Sequence, residues 1–385
     1  MWKRIVAIMA CAVLTLCCVP AASAVTAEAV DVPAPSAILM DAATGTVLFE
    51  KNANERLAPA SVTKIMTLLL VMEALDSGRI GWDDTVIASE TAAGKGGSQI
   101  YLEVGEQMSM DDMLKSVVVS SANDCATALA EHVAGSESAF VAMMNERAAQ
   151  LGLTDTHFVN CTGLDDEPNA AEHRTTAHDL AIMSRELLKH AEIKKYTTIW
   201  MDTVRNGQFG LSNTNKLVRF YEGTTGLKTG YTSAAGHCLS ATAERDGIEL
   251  IAVVMHCASS TDRFQSAKAL LDYGFANYAL VSAQPPEPLN DVAVLLGAQS
   301  VLTPVLQESA PILIEKGEQA QVTKTVTLSE EVAAPVAAGQ QLGTLTIRTD
   351  TRTLAEIPIV APEAIEKLTL WEMAVRLLRR MCMGI

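Results

Sequence analysis

Leu57-Ala58-Pro59-Ala60-Ser61-Val62-Thr63-Lys64-Ile65-Met66-Thr67 is the stretch on which the fold and chemistry of this chain turn. Pro59 marks the entry to a helix, and Ile65, Leu68, Leu69, Met72 and Leu75 recur at three and four, the period of a helix that buries one face. The spacing predicts a helix over 61–75 with Ser61 in its first turn. Residues three apart share a helix face, so the Lys64 amine falls beside the Ser61 hydroxyl. A serine hydroxyl is a weak nucleophile until a neighbouring base takes its proton. Lysine can be that base only if burial or a nearby positive charge draws its pKa toward neutrality. Taken alone, Ser-x-x-Lys also describes an N-cap serine followed by a solvated lysine.

Two more motifs follow in order. Ser121-Ala122-Asn123 comes after the apolar run Val117-Val118-Val119 and before another helical stretch, where a loop can present two polar side chains to a cleft. Proton relay to a leaving amine and a hydrogen bond to a substrate amide are the expected jobs; helix capping is the alternative. Lys228-Thr229-Gly230 follows Thr224-Thr225-Gly226 and precedes strand-like sequence. A cation and a hydroxyl there suit a carboxylate, while the glycine would let a substrate backbone approach the strand. A surface turn is the competing reading. Lys228 is also the positive neighbour expected to depress the pKa of Lys64.

Together the three motifs resemble the penicillin-recognising serine acyltransferases. The opening stretch, Ser121-Ala122-Asn123-Asp124, Phe158-Val159-Asn160-Cys161-Thr162-Gly163-Leu164 and Gly226-Leu227-Lys228-Thr229-Gly230-Tyr231-Thr232 are similar to the D-alanyl-D-alanine carboxypeptidase branch, the low-molecular-weight penicillin-binding proteins. The resemblance covers about residues 36–280. It implies an α/β (α+β) penicillin-binding/β-lactamase-like transpeptidase fold, an antiparallel sheet with a helical subdomain, followed by a small all-β domain. It also implies roles. Ser61 would attack the penultimate D-alanine carbonyl of peptidoglycan stem peptides, with Lys64 as base and Ser121 and Asn123 lining the cleft. Lys228 and Thr229, next to Gly230, would hold the terminal carboxylate. Backbone N–H groups of Ser61 and Tyr231 would form the oxyanion hole. Many relatives carry His where this chain has Tyr231, a change to which a backbone donor is indifferent. β-Lactam antibiotics would bind covalently at Ser61. For Arg263 two readings stay open, a second charge near the carboxylate and a surface ion pair.

The remainder of the chain sets the context. Lys3 and Arg4, the apolar run 5–19 and Ala22-Ser23-Ala24 have the layout of a secretory signal over residues 1–24. A retained transmembrane anchor competes, but the run is short for a bilayer. Its removal takes two basic residues from a chain of formal charge −16, leaving −18. So acidic a balance argues against a nucleic-acid partner. Cys125, Cys161, Cys238, Cys257 and Cys382 remain, too scattered for a disulfide framework or a zinc pair. After a linker at 25–35, the main domain at 36–280 should open with a hairpin around Ala43-Thr44-Gly45. Helical patterns follow at 110–133, 139–151 and 176–190, then strands at 236–244 and 248–256 and a closing helix at 262–278. A proline-rich linker (281–290) leads to the β domain (291–361). Residues 362–385 read as an amphipathic helix with an apolar stripe of Leu370, Ala374, Leu377 and Met381, flanked by Trp371 and Leu378. Arg376, Arg379 and Arg380 lie toward another face. Such a helix suits the outer face of the cytoplasmic membrane, with docking on the β domain as the alternative.

Rival chemistries are weaker. His173, His178 and Asp179 are the clustered metal-ligand types, but His173 and His178 are off a common helical face and no HExxH occurs, so neither metal nor cofactor is expected. No Gly-x-Ser-x-Gly elbow is present. A β-lactamase would need a deacylating glutamate, and Glu167-Pro168-Asn169-Ala170-Ala171 lacks the Leu and Asn of that pattern. A non-catalytic penicillin or cell-wall sensor would not require the Ser61 and Lys64 pair.

Overall fold

The computed structural model describes residues 30–166 and 169–383; the expected signal segment and Glu167-Pro168 lie outside them. Its centre is a five-stranded antiparallel sheet in the order Val47–Lys51, Ser36–Asp41, Ile248–Cys257, Gly236–Arg245, Thr224–Thr232. Successive strand side chains point to opposite faces, and here both faces are buried. Ala37, Leu39, Leu250, Ala252 and Val254 pack toward the closing helix Ser260–Asn277. Ile38, Met40, Ile251, Val253 and Met255 join the core of the helical region. Double-sided burial is why these strands read as nearly continuous apolar runs. The chain from Val32 also belongs to this core: Val32 and Ala34 are buried, and the Ala34 N–H donates to Ser266 Oγ (3.0 Å). The loose linker expected at 25–35 therefore ends before Val32.

Two helical expectations change. The helix Lys64–Asp76 follows a 3-10 turn, Ala60–Thr63, and buries Met66, Leu70 and Val71 as well as the predicted stripe. It is buried all round because it runs through the middle of the helical region, not across its surface. The pattern at 110–133 is not one helix but two, Met110–Val119 and Asn123–Ala134, and the break, where Ser121 adopts φ +62°, falls at the loop expected for the Ser121-Ala122-Asn123 motif.

Beyond the main domain, Tyr278–Val281 pairs with Ile312–Glu315. A four-stranded sheet (Val305–Leu306, Thr353–Val360, Gln341–Arg348, Thr323–Leu328) and a three-stranded one (Val301–Leu302, Val292–Leu295, Glu331–Ala333) complete the β module. The terminal helix spans Leu370–Met383 and so begins later than residue 362. The segment before it is held in the β module, with Ile365 bridged to Val336 and Lys367 to Gly297.

Candidate active site

The site forms where the 3-10 turn carrying Ser61 meets the edge strand Thr224–Thr232. Gly230 makes this approach possible: a Cβ there would come within 2.9 Å of Pro59 O, Ser61 N and Val62 N. Its smallness thus makes room for the turn that carries Ser61, where the sequence suggested room for substrate. Gly163, at φ +83°, admits the next loop, since a Cβ on it would overlap the Ala60 carbonyl.

Lys64 is fully buried, and its Nζ lies 3.0 Å from Ser61 Oγ, 2.6 Å from Asn123 Oδ1 and 2.8 Å from Thr162 O. A neutral amine has two N–H donors and one lone pair. The two carbonyl acceptors take the donors, leaving the lone pair for the Ser61 hydroxyl proton. Asn123 cannot swing away, because its Nδ2 donates to Gly96 O (2.7 Å). Burial draws the Lys64 pKa from 10.5 down to about 7, against the opposing influence of the Cys161 thiol and the Asp124 carboxylate. Of the two expected causes, burial is the one that lowers it, and the neighbouring Lys228 charge does not. Lys228 is itself held well below the usual lysine range, by burial first and then by the Lys64 and Arg263 charges. Its Nζ donates to Ser121 Oγ (2.8 Å) and Thr229 O (3.0 Å), so the strained backbone at Ser121 serves to meet Lys228.

The family model for D-alanyl-D-alanine carboxypeptidase matches residues 23–259, and the model for the C-terminal domain of penicillin-binding protein 5 matches residues 283–367. The chain belongs to the D-alanyl-D-alanine carboxypeptidase family. D-alanyl-D-alanine carboxypeptidase DacF of Bacillus subtilis (strain 168) is 43% identical over 339 residues, 87% of this chain and 86% of the relative. Among solved structures, penicillin-binding protein 5 from Haemophilus influenzae superposes with a TM-score of 0.71 at 30% identity, over 88% of this chain and 98% of that one. Ampicillin-bound penicillin-binding protein D2 from Listeria monocytogenes gives 0.58 at 31% identity, over 63% and 98%. The architecture is the penicillin-binding transpeptidase fold with a C-terminal all-β domain.

On the edge strand beside Lys228, Thr229 Oγ1 donates to Thr214 Oγ1 (2.6 Å), and the exposed Tyr231 ring stacks on His237 with centroids 4.3 Å apart. Arg263 is not in a surface ion pair. It is buried behind the edge strand, donating to Gly230 O (3.2 Å), Cys238 O (3.4 Å) and Ser260 Oγ (3.2 Å), with no carboxylate partner among the described residues. His173 is tied into the scaffold: Nδ1 accepts from the Val159 N–H (3.2 Å) and Nε2 faces Thr63 Oγ1 (2.8 Å). Thr63 Oγ1 already donates to Ala60 O, so the ring is the neutral Nε2–H tautomer. Burial, with the His157, Arg174 and Lys64 charges, lowers its pKa to about 3. Among the described residues no group of three or more His, Cys, Asp or Glu is arranged to hold a metal ion.

Sequence reasoning assigned no role to Thr162, Gly96 or Thr214. The stretch 158–164 did stand out, and its Asn160 shapes the loop by accepting from the N–H of Gly163 (2.7 Å) and Thr162 (3.2 Å). The main-chain oxygen that matters carries no residue signature.

Proposed function

We propose that this chain removes the terminal D-alanine from peptidoglycan pentapeptides through an acyl-enzyme on Ser61. The observation that carries the reading is the buried Lys64 amine, whose Nζ lies 2.6 and 2.8 Å from two carbonyl oxygens and 3.0 Å from Ser61 Oγ, so that in its neutral form the remaining electron pair faces the serine. Ser61 Oγ attacks the penultimate D-alanine carbonyl while Lys64 takes its proton. The developing oxyanion sits against the backbone N–H groups of Ser61 and Tyr231. Collapse breaks the amide bond, and free D-alanine leaves with a proton relayed through Ser121. Water, deprotonated by Lys64, then hydrolyses the ester. Lys228 and Thr229 bind the terminal carboxylate, whose negative charge favours the protonated Lys228 that burial otherwise resists. A β-lactam presents a similar carboxylate and carbonyl, and acylates the same serine. The test is mass spectrometry of a pentapeptide ending in D-Ala-D-Ala: one D-alanine and one tetrapeptide should appear per substrate. Intact pentapeptide after prolonged incubation with folded protein would reject the reading.

We further propose that the protein is exported, acts outside the cytoplasmic membrane in cell-wall maintenance and cell shape, and attaches peripherally through Leu370–Met383. Supporting this, Leu370, Trp371, Leu377, Leu378 and Met381 are 59–85% exposed, so the stripe is not buried against the β module. Arg376, from another side of the helix, donates to Gly297 O (3.3 Å) and Ala298 O (2.6 Å) and tethers it with the stripe outward. No helix of the described residues is long and apolar enough to cross a membrane, which suits an interfacial helix. A chain ending at Thr369 is expected to release D-alanine normally but to stop sedimenting with anionic vesicles. Equal sedimentation of both chains would rule out the helix as the attachment.

A further inference from the structure

Two loops supply the outer contacts of the Lys64 and Asn123 pair, one through Gly96 O and the other through Thr162 O. Lys95, next to Gly96, forms a 2.7 Å ion pair with Glu137 Oε2, and both side chains are only 14–15% exposed. The other carboxylate oxygen, Glu137 Oε1, accepts from the Cys161 N–H (3.3 Å) and thiol (3.2 Å), next to Thr162. The contacts therefore close on themselves, from Lys64 through Asn123, Gly96, Lys95, Glu137, Cys161 and Thr162 back to Lys64. Glu137 begins the helix Glu137–Gln150, where an acid ordinarily complements the helix dipole. Its two oxygens instead reach two separate loops. So sheltered an ion pair is screened less than a surface one.

We infer that Glu137 and Lys95 are positioning residues for the general base, fixing the Gly96 and Thr162 carbonyls so that Asn123 and Thr162 keep both Lys64 N–H groups occupied. The inference rests on the proposed role of Lys64. Without the pair the two loops separate and water gains access to Lys64, which weakens the burial that keeps its pKa near 7. The base works only when neutral, so a rise in its pKa moves the ascending limb of the pH–rate profile to higher pH. The other ionisable groups around Lys64 are Asp124, Cys161, Lys228 behind Ser121 and His173 behind Thr63. None is altered in the variants below.

The experiment measures penicillin acylation and pentapeptide turnover from pH 5 to 9, with melting temperatures, for Glu137→Gln, Lys95→Met, the double variant and Lys95→Arg. We expect kcat at pH 7 to fall by roughly tenfold or more with little change in KM, as follows from slight misplacement of a catalytic group. The limb should move alkaline by about half a pH unit or more. The double variant should lose little beyond either single one, because both break the same contact, and Lys95→Arg should retain most activity. If Glu137→Gln does not fold, Lys95→Met carries the same expectation. Variants that melt earlier yet keep the wild-type limb and kcat would reduce the pair to a structural role and overturn the inference. That outcome is separate from failure of the base itself, which Lys64→Arg reports.

Discussion

Lys64→Arg is expected to give a folded protein whose Ser61 is acylated at least about ten-thousandfold more slowly than wild type, by peptide or by penicillin. Arginine retains N–H donors but stays charged at every pH at which the enzyme would work. It cannot release a proton at any useful pH, so no lone pair faces the Ser61 hydroxyl. The same reasoning sets the pH dependence of the wild type. Because the Lys64 pKa is lowered to about 7, the neutral base predominates above that pH and is lost below it. Acylation should rise with pH through about 7 and then level off, falling about tenfold for each unit on the acid side. Stopped-flow acylation with circular dichroism as the fold control measures both. A Lys64→Arg protein that acylates at the wild-type rate would remove lysine from the mechanism.

The second large effect separates the two acyl-enzymes. When the peptide reacts, D-alanine departs and leaves space for water beside Lys64. When penicillin reacts, the thiazolidine ring stays attached and obstructs that approach. The penicillin adduct on Ser61 should persist for minutes or longer, at least about a thousandfold longer than the peptide adduct, a difference of about 4 kcal/mol in barrier. Relief of the block would need another base. Glu167 is the candidate in the sequence, although the Glu167-Pro168-Asn169 stretch lacks the remainder of the β-lactamase pattern and Glu167 lies outside the described residues. Glu167→Gln should change neither lifetime. Penicillin turnover within seconds that depends on Glu167 would point to a β-lactamase.

Much of the site was legible because its residues announce themselves by spacing. Ser61 and Lys64 are three apart, and they meet at 3.0 Å even though the serine lies in a 3-10 turn ahead of the helix. Asn123 meets Lys64 and Ser121 meets Lys228, from the break between two helices and from a sheet edge, while the Thr229 hydroxyl is bonded to Thr214. What stayed hidden was tertiary. The Thr162 and Gly96 oxygens that orient Lys64 and Asn123 are main-chain atoms, for which any residue would serve. The break at Ser121 was legible from the Ser121-Ala122-Asn123 motif, read as a loop ahead of another helical stretch, although the apolar periodicity of 110–133 runs on across it; what stayed hidden is that Lys228 supplies the contact that uses the break. Arg263, open in the sequence between a second charge near the carboxylate and a surface ion pair, is buried behind the edge strand, which only the tertiary packing reveals. Three- and four-residue spacing cannot tell a helix buried on one face from one buried all round, which is why the extent of burial of Lys64–Asp76 was missed.

The most direct test of the account is the covalent state of Ser61. Intact-mass measurement of the purified chain after brief mixing with penicillin, followed by peptide mapping, should find one adduct, on the peptide that contains Ser61. Ser61→Ala should carry no adduct and release no D-alanine from a pentapeptide. An adduct mapped to any other residue, or D-alanine release that survives in Ser61→Ala, would contradict it.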